Sequence, residues 1–393
     1  MSASLLAAAS QLSPKLRAWR RHLHAHPELS FEEHATQRYV REQLDAIEGL
    51  QIAPIAKTGL TVTLAGDRPG RCVALRADLD ALPIREVAGR SYGSTVPGVM
   101  HACGHDVHTT CLLGALRLLS DRRSELRGTV RAVFQPGEEL LPGGATHVIA
   151  DGFLDRPRVD AIVGLHVDPS LPVGSYGVRP GQYMASTDEL YLTLRGPGGH
   201  AAMAHTTVDL VAAAAQVITA LQQVASRKAP PEVPTVLSFG KVSSEGGATN
   251  VLTTAVRLEG TFRTYDEAWR ERARVHIERI ARMTGEAMGA EVEVDIRRGY
   301  PALNNDEGVT AAVRRGLVSL VGEGDVAALG LRPTAEDFAW YLQRVPGCFF
   351  RLGVRNEARG ITSAVHTPSF DVDEGALAYG AAGMASAAIE LLG

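Results

Sequence analysis

Residues 130–139, VRAVFQPGEE, join a short, mainly apolar run to a Pro-Gly turn and then to two adjacent carboxylates, Glu138 and Glu139. A run of this length, bounded by turn residues, reads as a strand buried in a sheet. Similar runs occur at 60–65, at 72–76 just before Asp78, and at 161–165 just before His166. Helical patterns such as 111–119 separate them, and that alternation predicts an α/β domain with a largely parallel sheet flanked by helices. Asp78, Glu138, Glu139 and His166 are then expected just past strand C-termini, where open α/β sheets place their ligands.

At 393 residues the chain exceeds one ordinary core, so two or three domains are expected. Ser13-Pro14 reads as an N-cap and first-turn proline, with Leu16, Trp19 and Leu23 at helical spacing behind it. A second helix is expected over 31–47, so that two helices open the first domain. From Ser186 the texture changes. An alternating strand, STDELYLTLRG, precedes an Ala-rich helix at 208–225, strands TVLSFGKVSS and AVRLEGTFRT, a helix at 267–288 and the strand EVEVDI. The order β, α, β, β, α, β predicts a ferredoxin-like α+β insert over 186–297, with the larger domain split into 1–185 and 298–393.

Residues 100–110, MHACGHDVHTT, crowd His101, Cys103, His105 and His108 together. A thiolate with imidazoles suits zinc, manganese, cobalt or nickel better than the oxygen-seeking magnesium or calcium, so this segment reads as half of a metal site. The plain alternative is a small buried cysteine beside a surface histidine. Glu138 and Glu139 repel each other unless a cation is near or one is protonated; otherwise they belong to a solvated acidic loop. His166 in GLHVDP and His366 in AVHTPSFD each follow an apolar stretch and lie close to a stiffening proline. A fixed ligand and a hydrogen-bonded core histidine both fit that setting.

The bulk composition narrows the function classes. A net charge of -4, 45% hydrophobic and 21% charged residues, and no Lys/Arg run longer than two leave no electrostatic footprint for nucleic acid or an anionic membrane. Small molecules are the expected partners. No stretch reaches the roughly 18 apolar residues of a membrane span, and no basic segment precedes the short Leu/Ala run at the amino terminus. Four irregularly spaced cysteines do not form a disulfide framework. A cytoplasmic protein with reduced thiols is expected.

The motifs RRHLHAHPELSFEE, RADLDALP, PGVMHACGHDVHTT, FQPGEE, GLHVDP, GPGGHAAMAHTTVD, GTFRT, AEDFAWYL and VHTPSFDVDEGAL occur in this order. In content, order and spacing the chain resembles the M20 metallopeptidase family nearly end to end, in its aminoacylase, hippurate hydrolase and auxin-conjugate hydrolase branch. The resemblance implies a zinc-peptidase-like catalytic domain and an inserted lid and dimerisation domain. It implies two divalent ions (manganese, zinc, cobalt or nickel) held by Cys103, His105, Glu139, His166 and His366, with Cys103 where other relatives place a bridging aspartate. His105 and His166 would share one ion, Glu139 and His366 the other. Glu138 would be the general base. His200 would reach the partner subunit's site in a homodimer and stabilise the oxyanion. Asn250 and Arg263 would bind the substrate's carboxylate or acyl oxygen, and Asp78 would brace the metal site. His22, His24, His26, His101 and His108 would be structural. Val107 and Ala204 depart from the usual glycine and proline.

The expected protein is a metal-dependent amidohydrolase acting on N-acyl or N-aroyl amino acids. A dipeptidase or carboxypeptidase would share every catalytic residue. A catalytically silent metal-binding protein, and a thiol-nucleophile enzyme using Cys103 with His105, are the readings from other classes.

Overall fold

Leu5 and Ala9, one helical turn apart, are both buried, and the Ala/Leu-rich opening segment is a helix in its own right, α1 (Ser2–Gln11). In the computed structural model, which describes residues 2–246 and 248–393, three helices therefore precede the first strand rather than two. The backbone N–H of Leu12 bonds back to Ala8 and Ala9, so the chain turns directly into α2 (Ser13–Ala25). Leu12, not Ser13, takes the cap position, and Leu16, Trp19 and Leu23 form the buried stripe. There follow α3 (His34–Asp45), β1 (Leu50–Ile55), β2 (Gly59–Ala65), β3 (Arg68–Asp78), α4 (His105–Ser120), β4 (Arg127–Gln135), α5 (Gly144–Ala150), β5 (Ala161–Pro172) and β6 (Tyr176–Val178).

The insert then contributes β7 (Asp188–Arg195), α6 (Leu210–Gln223), β8 (Thr235–Ser244), β9 (Ala255–Thr264), α7 (Glu267–Ala287) and β10 (Glu291–Arg298). Its sheet runs β8-β9-β7-β10, antiparallel throughout, which is the ferredoxin-like order. Leu190, Leu192 and Leu194 alternate inward along β7. They meet a stripe of α7, namely Trp269, Ala273, Ile277 and Ala281, at the four-residue spacing of a helix face. The larger unit resumes with α8 (Glu307–Val321), β11 (Val326–Ala328), α9 (Ala339–Leu342), β12 (Gly347–Arg355) and α10 (Ala376–Leu392).

The chain divides into one unit running to Gly181 and including Asn304–Gly330 and Asp337–Gly393, and a second of Gln182–Leu303 and Leu331–Glu336. The boundaries lie a few residues outside 186–297. The 331–336 segment groups with the insert because the Arg332 backbone pairs with Tyr183 and Ala185.

The sheet of the larger unit has eight strands in the order β1-β2-β4-β3-β5-β12-β6-β11. The four central strands, β4, β3, β5 and β12, are mutually parallel; β1, β2 and β4 pair antiparallel on one flank, and on the other β6 runs antiparallel to β12 and parallel to the edge strand β11. From β3 the chain moves to one side through α4 to β4, then crosses back to the other side as β5. That reversal is a topological switch point, and it opens a crevice at the C-terminal ends of β3 and β5. β3 pairs with β5 only from Val73↔Ala161 to Arg76↔Gly164, so the two diverge beyond Gly164. His166 sits inside β5 rather than past its end, because pairing with β12 continues to Pro172.

Candidate metal centre

The helix expected from residue 111 begins six residues earlier, at His105. Gly104 holds its N-cap in the left-handed region (φ 85°), where a Cβ would also come within 2.6 Å of Val167 Cγ2. Only glycine suits that position. No side chain caps this end and the first turn is polar, which is why apolar spacing places the start too late. His105 is thereby carried on the first turn of a buried helix, with Cys103 just ahead of its N-cap, beside the switch point.

Two three-donor groups share one sulfur. Cys103, His105 and His166 form the first, Cys103, Glu139 and His366 the second, with the donor atoms of each group within 4.8 Å of one another. Cys103 Sγ lies 3.3 Å from His166 Nε2 and 3.2 Å from His366 Nε2, and the latter lies 3.3 Å from Glu139 Oε1. His366 has a positive φ of 61°, unusual for a non-glycine residue, and its N–H bonds to the Ala102 carbonyl. Glu138 is buried, shares a third group with His105 and Glu139, and faces the Asp337 N–H with Oε1 at 3.5 Å.

The donors fit a borderline divalent ion. His105 Nε2 is buried, has no hydrogen-bond partner among the described residues, and stands 4.0 Å from the buried Glu139 Oε1, which faces His366 Nε2. Such an imidazole nitrogen is costly to bury unless something else engages it. Thiol, imidazole and carboxylate donors together match zinc, manganese, cobalt or nickel.

Electrostatics shift the donors of the cluster in different directions. Hydrogen bonds to Cys103 and Glu139 raise His366 to about 10. Burial pulls His105 down, but Asp78 and Cys103 outweigh it and hold the imidazole well above its usual value. Burial and Arg351 push His166 well below it. Burial and Glu139 push the Cys103 thiol up against the pull of its imidazole neighbours.

Beneath the donors lies a buried polar frame. His105 Nδ1 donates to the Asp80 carbonyl at 2.8 Å and faces Asp80 Oδ1 at 3.2 Å, which turns Nε2 toward the cluster. Asp80 Oδ2 accepts from Ser30 Oγ and from the Glu139 N–H. Glu33 accepts the Gly137 N–H at 2.8 Å, so the carboxylate turn is held from both ends. Asp78 lies 3.7 Å from His105 Nε2 and makes its shorter contacts with Arg76 and His108. The residue that directly orients His105 is thus Asp80, which the sequence reading passed over although RADLDALP places two aspartates at period 2. Arg76 also binds Asp337, whose other oxygen accepts from Gln135 and from the Ala145 N–H. Burial raises Asp337 to about 6.

The remaining histidines of the opening motif do other work. His24 is buried between Asp106 and Glu86, His22 stacks on Tyr39, and His26 Nδ1 donates to the His22 carbonyl. His200, Asn250 and Arg263 all lie in the second unit. Exposed His200 pairs with Val251 across two short strands, next to the Asn250 carbonyl that accepts the Ala201 N–H. Arg263, on β9, donates to the Pro333 carbonyl at 3.1 Å.

Residues 74–390 match the model of Peptidase family M20/M25/M40. The chain belongs to this family. Among M20 relatives, it is 45% identical to an N-acyl-L-amino acid amidohydrolase of Geobacillus stearothermophilus over 74% of this chain and 78% of that one. It is 40% identical to an N-acetyl-L-cysteine deacetylase of Bacillus subtilis, over 94% and 86%. Its structure resembles that of the Bacillus subtilis YXEP protein, described as a dinuclear metal binding peptidase of the M20 family. The TM-score is 0.84 at 35% identity, covering 98% and 99% of the two chains.

Proposed function

We propose that this M20 protein is a dinuclear amidohydrolase that cleaves the amide between an acyl or aroyl group and an amino acid, with hippurate-like compounds as leading substrates. The observation that carries the reading is one sulfur, Cys103 Sγ, common to two three-donor groups beside the buried carboxylate of Glu138. Cys103, His105 and His166 would hold one divalent ion, and Cys103, Glu139 and His366 the other. Such ions, when bound, polarise a carbonyl and acidify water.

Glu138 is the general base. It accepts a proton from the attacking water and delivers it to the departing amine nitrogen, a shuttle worth about 10²- to 10⁴-fold. His200 is the candidate donor to the developing oxyanion, supplied across a homodimer through the inserted lid and dimerisation domain. Asn250 and Arg263 are the candidate anchors for the carboxylate of the leaving amino acid, a task suited to Arg's forked donors. Asp78 braces the site at one remove, through His108.

A cytoplasmic location is part of this proposal, supported by four free, buried cysteines. Among the described residues no helix is long and apolar enough to cross a membrane. The thiol-nucleophile reading loses support from the burial of Cys103 and its upward-shifted thiol. The peptidase reading keeps support from the description of the YXEP protein.

The test is hydrolysis of hippurate, N-acetyl amino acids, an indole-acetyl conjugate and free dipeptides by metal-stripped protein with manganese, zinc, cobalt or nickel restored. Metal-dependent cleavage confined to blocked substrates is the expected result. Preference for free dipeptides would make it a peptidase, and no turnover with about two ions bound would make it a metal-binding protein.

A further inference from the structure

We propose that His108 is a positioning residue for His166, acting through the backbone of Val167. His108 is fully buried, and both ring nitrogens are engaged. The Val167 N–H donates to Nε2 at 2.9 Å, so Nε2 carries no proton, and Nδ1–H donates to Asp78 Oδ1 at 2.6 Å. The imidazole is therefore fixed as one neutral tautomer and cannot itself ligate an ion.

Val167 also sets His166, through the peptide group on the other side of its Cα. Its carbonyl accepts His166 Nδ1–H at 2.8 Å, which leaves Nε2 to face Cys103 Sγ. Val167 lies beyond the last β3–β5 pair, Arg76↔Gly164, so β3 offers its backbone no ladder. The start of α4 takes over that task at two points. Gly104 lets Val167 approach closely, and His108, one turn on, supplies the hydrogen-bond acceptor. The two imidazole rings lie 4.6 Å apart. The chain Arg76, Asp78, His108, Val167, His166 thus runs from the buried floor of the sheet to a donor of one ion only. Glu139 and His366 are held by other contacts.

The inference rests on the reading of His166 as a ligand, and the experiment separates the two. Cobalt(II) is titrated into the metal-free full-length protein and into His108→Gln and His108→Asn, with stoichiometry, affinity and the thiolate-to-cobalt absorption recorded. Gln reaches the Nε2 position and can accept the Val167 N–H. Asn reaches only as far as Nδ1 and keeps the bond to Asp78. Wild type and His108→Gln are expected to bind two ions alike. His108→Asn should bind one ion with wild-type affinity and thiolate absorption, and the second about 10- to 100-fold more weakly, as for lost outer-shell partners. His166→Ala should weaken the same ion.

Equal tight binding of both ions by His108→Asn, or equal losses in the Gln and Asn variants, would overturn the positioning role, since a merely structural residue would weaken both ions together. Failure of the wild type to bind two ions would instead overturn the dinuclear reading. If His108→Asn does not fold, as judged by thermal unfolding of the metal-free protein, His108→Met replaces it, because Met fills the volume without a comparable acceptor.

Discussion

At the scale of single residues, the difference between Glu138 and Glu139 shows how neighbouring identical side chains acquire separate work. Glu139 is held by its own N–H to Asp80 and faces His366, while Glu138 is buried toward the Asp337 N–H. Glu138→Gln keeps shape and loses basicity, so it should bind metal as the wild type does and lose about 10²- to 10⁴-fold in turnover. Parallel metal analysis and steady-state rates check this. Asp80→Ala removes a carboxylate shared by His105, Ser30 and the Glu139 N–H. Its metal affinity should fall about 10- to 100-fold, measured by competition with a chelator. Cys103 and His105 were legible in the sequence because soft donors crowd within a few residues. Asp80 was not, because an aspartate two residues past a strand looks the same whether it caps a turn or orients an imidazole.

Among elements, α4 carries the most consequence per residue. Its N-cap at Gly104 puts His105 and His108 in the first turn with Cys103 just ahead of it, and all but Arg117 and Ser120 of the helix is buried. Gly104→Ala introduces a Cβ 2.6 Å from Val167 and strains a φ of 85°. It should destabilise the protein by about 1–3 kcal/mol, measured by denaturant unfolding of the metal-free form. The insert was read from alternation and helical spacing alone, because its strands are antiparallel with one face buried and its helices carry clean stripes. Helix α1 was missed because its buried residues are Ala and Leu at one-turn spacing in a short run, a weak periodic signal. β5 was cut short at residue 165 because polar residues follow, although β12 goes on pairing with it to Pro172.

In the molecule as a whole, the larger unit is tied across its ends by a second buried charge network. Arg20 on α2 meets Asp106 on α4 and Asp371 near the carboxyl end, while His24 bridges Asp106 and Glu86. Arg20→Met would leave Asp106 buried beside fewer partners and should cost about 3–5 kcal/mol in denaturant unfolding. Burial alone would raise Glu86, but His24 and the Ser94 N–H outweigh it and hold this carboxyl at about 2, against 4.5 when exposed. A depressed carboxyl contributes stability that is complete above the unfolded value and is lost as pH falls from about 4.5 toward 2. Unfolding free energy measured across that window should fall less steeply for Glu86→Gln than for the wild type.

The sequence by itself determined the alternation that makes an α/β sheet, the insert and its order, and the crowding of Cys103 and His105 that marks half of a metal site. These follow from side-chain periodicity and ligand chemistry, which are local properties of the chain, whereas Glu139, His166 and His366 joined the donor set through the family resemblance. The tertiary structure decided what depends on contacts between distant segments. A single sulfur came to lie between His166 and His366, Asp80 rather than Asp78 took His105, and His108 came to support the Val167 peptide where β3 and β5 part. Hydrogen bonds spanning dozens to hundreds of residues leave no spacing pattern in one sequence, because their geometry exists only once the sheet has closed around them.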